Sequence, residues 1–538
     1  MRLQTREIAL LIVVLLLAAS MRFWGIRFGL PGLYRPDEEY FRNAVMVIDR
    51  GNYNPHFFYY PSFYMYFNVV VWRLYVFLQI LLGNYTPPQQ ITQFMSQHPN
   101  ILYIMGRYVS AVFGTATVLL VFLIGRRFYS PATGLLGAFI LAVNPVHTLN
   151  SHFFKSDVAT VFFILLALLF MLHYVDNGRR KHFIWASIFS GVAFSTNYYG
   201  GFLLIPLLAT KGFHALHRRK RLWPLLREYD TVVAPLIVIV VFLLLSPYIF
   251  LDYHEFLYHF NRMLFCDRVN LYNTMVANGF SDYSFQKPLL YSLRFSLRYA
   301  MGIVPAVLSI ASIIFLLVRR RPFDLCLVLF VLVYFFFINT GKAVFIRYYL
   351  GIVPLLSLFV AEMVIATWRR FFRERGAIGI ILSCVIVVLI VAEPVYTTIK
   401  QNELLSQPDT RTLAAEWIAK NITAGSQIAV PLEYRYGKPS LENGCAYVAL
   451  GNTLDDLRRR GVKYVLIDEH FLRLYSPAPS SRVAEELTQK ATLLKRFSFD
   501  DKGNSEPVYD QLDAFYVPVG RFSGVKRPGP KISIYQLK

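Results

Sequence analysis

The chain predicts a polytopic α-helical membrane protein of about eleven transmembrane helices, followed by a small extracytoplasmic α/β domain. Three observations carry this. Apolar stretches of membrane-crossing length recur from Ile8 to about Val391, and 55% of the 538 residues are hydrophobic, with a mean hydropathy of +0.43. Cations collect in short clusters between those stretches rather than in one patch, so the formal charge of +22 describes topology and argues for a lipid bilayer as partner, not nucleic acid. From about Lys400 the composition becomes that of a soluble domain. The expected division is a membrane domain over 1–399 and an external domain over 400–538.

Taken in order, Arg2 and Arg6 precede an apolar run from Ile8 to Ala19 that reads as a retained first helix rather than a cleaved signal, because the remainder is polytopic. Further clusters stand at Arg126 and Arg127, Arg179 to Lys181, Arg218 to Arg221, Arg319 to Arg321, and Arg369 to Arg375. If all face the cytoplasm, the chain crosses an even number of times between successive clusters. That parity makes Phe63 to Leu82, which contains Asn68, Arg73 and Gln79, an interfacial helix within a long external loop over 25–100. The remaining spans fall near 101–125, 131–149, 158–175, 182–197, 199–215, 231–250, 299–318, 322–338, 348–367 and 377–395. The N-terminus is then cytoplasmic, and the external domain lies beyond a plasma membrane. Its amphipathic Asp409 to Asn421, apolar Gln427 to Pro431, helical Thr453 to Arg460 and the strand patterns at Tyr464 to Ile467 and Ile532 to Tyr535 predict the α/β domain.

This topology collects chemistry on one face. Asp37, Glu38 and Glu39 follow the first membrane exit, and Asp157 sits in the turn after the third span. The first run also reads as a helix start, with Asp37 as its cap; a cap on a loop helix is a rigid mount for a catalytic group. Lys155, Lys342 and Arg347 occupy short external turns where cations are depleted. The anionic phosphate of a lipid carrier explains them, and the alternative is that they pair with Asp157 or Glu38 or sit among the lipid phosphates of the membrane interface. The aromatics of this layer, including Tyr59, Tyr60, Tyr198, Tyr199 and Tyr348, form an interfacial belt from which a few can position a sugar. His152 is a further positioning candidate. His147, His152, His254 and His259 are external too, but a divalent metal finds no support in their spacing, and no cofactor is required. The four cysteines lack CxxC pairing, and a Gly-rich nucleotide loop, GxSxG and HExxH are all absent from the sequence.

The acidic pair after the first helix, the Asn54 to Ser62 lead-in to the interfacial helix, Asp157, the segment Ser246 to Asp252, Lys342 to Pro354 with its Arg-Tyr-Tyr-Leu core, and Asp409 to Trp417 together resemble the GT-C glycosyltransferases of family 39. These include the protein O-mannosyltransferases and the aminoarabinose transferases that modify lipid A. The resemblance implies a GT-C type fold and a polyprenyl-phosphate-linked sugar donor used on the outer face, with inversion at the anomeric carbon and a protein, glycolipid or polysaccharide as acceptor. It makes Asp37 the general base, Glu38 its partner and Asp157 the second-loop acid. Many relatives carry a lysine just before the proline of the helix lead-in, where this chain has Tyr59 and Tyr60. A sugar phosphate needs one base and cations for the departing phosphate, which suits Lys155, Lys342 and Arg347. The rival is a transporter or flippase of lipid-linked saccharide, which would place ionisable groups at the midplane on broken, repeated helices. Few central charges and no repeat are seen here.

Overall fold

The computed structural model describes residues 4–84, 98, 100–263, 288–340, 344–372, 374, 376–431, 437–441, 443–451, 453–470, 481–501, 505–510, 513 and 516–538. Its internal contacts separate two units. The first comprises 4–24, 40–263 and 288–399; the second joins the loop Gly25–Glu39 to the chain from Lys400 onward.

The first unit is helical. Four described helices are long and apolar enough to cross a bilayer: Phe63–Leu81, Ile101–Phe128, Asp157–Asn177 and the one that begins at Gly376; a bent pair would make a fifth. Phe63–Leu81, expected along the interface, therefore has the length and apolarity of a span. Pro131–Ala142, Asp230–Leu245 and Pro322–Ile338 are apolar but shorter.

Several of the expected spans are not continuous rods, and three of the breaks show how the chain accommodates them. The 131–149 segment divides into Pro131–Ala142 and Pro145–Asn150. The side chain of Asn144 accepts the His147 amide at 3.0 Å, and Pro145 opens the new helix, so the old one stops. The carbonyls this leaves are taken up. Arg22, fully buried at the end of Thr5–Phe23, donates to Ala142 at 3.0 Å and Leu141 at 3.1 Å, while Thr398 donates to Val143 at 2.9 Å. The 299–318 segment bends by 116° at Gly302, whose φ of +90° favours glycine, and the Glu393 carboxylate accepts the freed Ile303 amide at 2.6 Å. The 348–367 segment begins as a 3-10 turn, Ile346–Gly351, and becomes α-helical only at Val353–Phe371. Elsewhere helices approach closely through glycine: a Cβ on Gly125 would lie 2.6 Å from the Gly134 Cα.

The second unit is the expected α/β domain. Strands β1 (Gln427–Val430), β2 (Ala446–Ala449), β3 (Tyr464–Glu469), β4 (Ala491–Phe497) and β5 (Lys531–Leu537) form a five-stranded sheet in the order β2-β1-β3-β5-β4. The first three are parallel; β5 runs antiparallel to both β3 and β4. Side chains alternate along the strands, so Val465 and Ile467 pack with Leu457 and Leu487 on one face, while Leu466, Ile428 and Ile534 pack with Ala414 and Ile418 of helix Thr410–Asn421 on the other. Strands β2 and β4 and the helix Ser481–Lys490 went unread in the sequence. Cys326, Cys384 and Cys445 are free thiols.

Candidate active site

In the first unit, the turn after Pro145–Asn150 delivers Lys155 to the start of helix Asp157–Asn177. Lys155 is buried, and its Nζ stands 3.5 Å from Asp157 Oδ2 and 5.8 Å from the centre of the Tyr60 ring. Its anion in this structure is thus a carboxylate, the pairing alternative raised by the sequence. Asp157 opens its helix, where negative charge is favoured. Tyr199, in the 3-10 turn Tyr198–Leu203, donates to the Asp157 carbonyl at 3.0 Å and meets Tyr334 edge-on at 5.5 Å. Tyr334 in turn donates to the Tyr348 carbonyl at 2.9 Å. Tyr60, Lys155, Asp157 and Tyr348 are therefore linked through two tyrosines. Tyr334, inside an apolar span, carried no sequence signal.

Arg347 is half-buried, its guanidinium 4.2 Å above the Phe345 ring; Lys342 lies outside the described residues. The Tyr59 ring lies 5.4 Å from that of His259. His152 corrects an expectation. Its ring nitrogens lie 2.9 Å from the carbonyls of Thr148 and Trp24, and burial drives its pKa down to about 4, so it is a neutral strut between backbone segments rather than a group offered to substrate. His147 is likewise internal, its Nδ1 3.0 Å from the Arg22 guanidinium.

In the second unit, Asp37 is half-buried with a φ of +75°, left-handed backbone that a non-glycine residue adopts only where its surroundings hold it. Glu38 is buried and begins helix Glu38–Asp49, and Glu39 is half-buried. Two residues before Asp37, the buried Arg35 pairs with Asp513. The Arg411 guanidinium carbon lies over the Tyr34 ring, 4.0 Å from its centre.

A set of metal-ligating groups does converge among the described residues, though not from the four histidines weighed in the sequence. His56 Nδ1 is 2.8 Å from Glu255 Oε2, and the ligand atoms of His56, Asp252 and Glu255 all lie within 4.8 Å of one another. Burial of Asp252 works to raise its pKa, but hydrogen bonds from Asn54 and the Glu255 amide outweigh it and hold the carboxylate below its usual range. One imidazole and two carboxylates suit zinc or another divalent ion. The legible part was Asp252 and Glu255, three apart at a helix start; their meeting with His56 is long-range.

Residues 104–250, which include Lys155 and Asp157, match the family model of dolichyl-phosphate-mannose-protein mannosyltransferases. Among solved structures, the chain is similar to the oligosaccharyltransferase of Archaeoglobus fulgidus in its apo form, with a TM-score of 0.55 and 12% identity over 99% of this chain and 88% of that one. The same archaeal protein in complex with an inhibitory peptide and a dolichol-phosphate gives 0.52 at 12% identity, again over 99% and 88%. ArnT from Cupriavidus metallidurans in the apo state gives 0.51 at 14% identity over 98% of this chain and 97% of that one. No curated protein sequence matches the chain. At such identities the likeness shows the fold, and that fold is the GT-C fold of membrane glycosyltransferases, as the sequence resemblance implied.

Proposed function

We propose that the chain is an inverting glycosyltransferase of the plasma membrane that moves a sugar from a polyprenyl phosphate to an acceptor hydroxyl on the outer face. The observation that carries this reading is the GT-C fold followed along almost the whole chain, together with a family match over the segment that holds Lys155 and Asp157. The archaeal neighbour's complex with a dolichol-phosphate and a peptide supports the class of donor and admits a protein acceptor. The acceptor oxygen attacks the anomeric carbon while the bond to the phosphate oxygen breaks; the electron pair leaves with the phosphate and the acceptor proton passes to Asp37. Glu38 supports Asp37, and Asp157 positions donor or acceptor. Lys155, Lys342 and Arg347 receive the charge of the departing phosphate, with Tyr59, Tyr60 and Tyr348 along the sugar. The reaction needs no cofactor; a divalent ion at His56, Asp252 and Glu255 would order the lead-in to Phe63–Leu81.

The test is turnover by purified protein with a panel of polyprenyl-phosphate sugars, reading free carrier released with and without chelator. Asp37→Asn lowers kcat by roughly 100-fold or more while expression is kept. Near-normal turnover by that variant overturns the base assignment.

A further inference from the structure

The segment Asp409 to Trp417, which helped to carry the family resemblance, has no part in the chemistry above, and the structure gives it a partner. Asp409 caps helix Thr410–Asn421 by accepting the Arg411 amide at 2.8 Å. It also fixes the Arg411 side chain through two further bonds, at 2.8 and 2.6 Å. The buried guanidinium, held flat in this way, lies between two rings: Tyr516 at 4.7 Å and, from the acidic loop, Tyr34 at 4.0 Å. Thr412 Oγ1 stands 3.4 Å from the Tyr34 hydroxyl. Burial, then the Asp409 charge, pushes that hydroxyl up to about 12, so it stays protonated. One residue on, Arg35 pairs with Asp513. Glycines let the loop settle this closely: Gly32 lies under the Tyr34 ring with no room for a Cβ, and a Cβ on Gly25 would lie 2.9 Å from that of Leu405. The loop thus folds as part of the domain that begins at Lys400.

We infer that the external domain sets the position of the proposed base: Arg411, Asp409 and Asp513 are positioning residues that hold Tyr34 and Arg35, and through them the left-handed backbone of Asp37. This rests on the reading of Asp37 as base. Two anchored residues within three positions leave Asp37 little conformational freedom. Because transfer requires a near-attack geometry, loosening them should slow the chemical step more than it weakens donor binding.

The experiment compares Asp513→Ala, Asp513→Glu, Arg411→Lys and Asp37→Asn in the full-length protein. Two readouts are taken: turnover of undecaprenyl-phosphate-linked sugars, and hydrogen exchange of the amides of 33–38 and of strands β1, β3 and β5. Asp513→Ala should lower kcat roughly 10- to 100-fold with KM for the lipid donor within about twofold. It should also speed exchange at 33–38 while the strands stay protected, and Asp513→Glu should restore most of both. Arg411→Lys, which keeps the charge but loses the planar fork, should fall between. Asp37→Asn should lose turnover with exchange at 33–38 close to that of the unchanged protein. Unchanged exchange in Asp513→Ala overturns the anchor, and faster exchange with unchanged kcat overturns the positioning role. Retained turnover in Asp37→Asn overturns the base reading, and the exchange data still decide the anchor.

Discussion

Asp157 and Asp37, the two acids expected to do chemistry, are mounted in opposite ways. Asp157 opens a 21-residue helix, has its cation two residues away in Lys155, and is steadied through its carbonyl by Tyr199. Asp37 sits in left-handed backbone between a loop and a helix, and the side chains that fix its neighbours, Asp513 and Arg411, come from the far end of the chain. The first mount is local and rigid by secondary structure; the second exists only once a separate domain has folded. A group that must approach and leave an acceptor proton can be set by a loop, whereas a carboxylate that positions a substrate and pairs with Lys155 gains from a helix start. The comparison therefore assigns the larger catalytic effect to the residue with the more elaborate support.

The largest expected effect tests that assignment directly. Asp37→Asn should cost roughly 100-fold or more in kcat and Asp157→Asn about tenfold, measured as carrier release under saturating donor. The reverse order would make Asp157 the base. Asp157→Asn carries a second cost, because it removes the carboxylate 3.5 Å from a buried ammonium. The loss in stability should be roughly 1–3 kcal/mol, below that for a fully buried pair since Asp157 keeps some solvent. The double variant Lys155→Met with Asp157→Asn should recover much of it in thermal unfolding, and an additive further loss would show that the two charges are not coupled.

How much of this was legible in the sequence follows the same division. The α/β domain could be read because Tyr464 to Ile467 is an apolar run and Ile532 to Tyr535 puts two isoleucines on one face, each between polar stretches, and β3 and β5 lie where expected. The amphipathic helix Thr410–Asn421 was equally plain. Membrane helices could be counted as apolar length but not followed through their breaks. At Asn144 the interruption is sustained by Arg22 and Thr398, more than a hundred residues away on either side, and hydropathy averages straight over such a point. Lys155 and Asp157 were legible as a pair because they are neighbours. That Tyr34 and Arg35 belong with Arg411 and Asp513 is a long-range fact with no local periodicity to betray it.

A smaller effect probes the loop without touching a charge. Gly32→Ala places a Cβ where the Tyr34 ring lies, so either the ring or the loop must move. Overpacking of this kind costs roughly 1–3 kcal/mol, and here it should appear as reduced kcat together with a lower unfolding temperature of the α/β domain. The corresponding change beside Asp157, Ala159→Gly, lies within a helix and should cost only about 1 kcal/mol in stability, with little effect on turnover.

The smallest effect concerns pH and separates the domain from the chemistry it supports. His470 is buried against the rings of Phe499, Tyr509 and Tyr516; burial first, then the Arg411 guanidinium, drives its pKa down to about 3. In the unfolded chain the imidazole takes up a proton near pH 6.5, so between 6.5 and about 3 the unfolded state binds more protons than the folded one. The stability that depends on a neutral His470 is therefore complete above pH 6.5 and is lost as the pH falls through this window, by about 1.4 kcal/mol per unit at most. His470→Phe keeps a ring in place and removes the titration. The unfolding temperature of the α/β domain from pH 7 to pH 5 should fall less steeply in the variant, while the pH profile of kcat, which the proposed mechanism assigns to Asp37, should keep its shape. A matching change in both profiles would tie the ionisation of the domain to the base itself and would erase the distinction between support and chemistry on which the comparison rests.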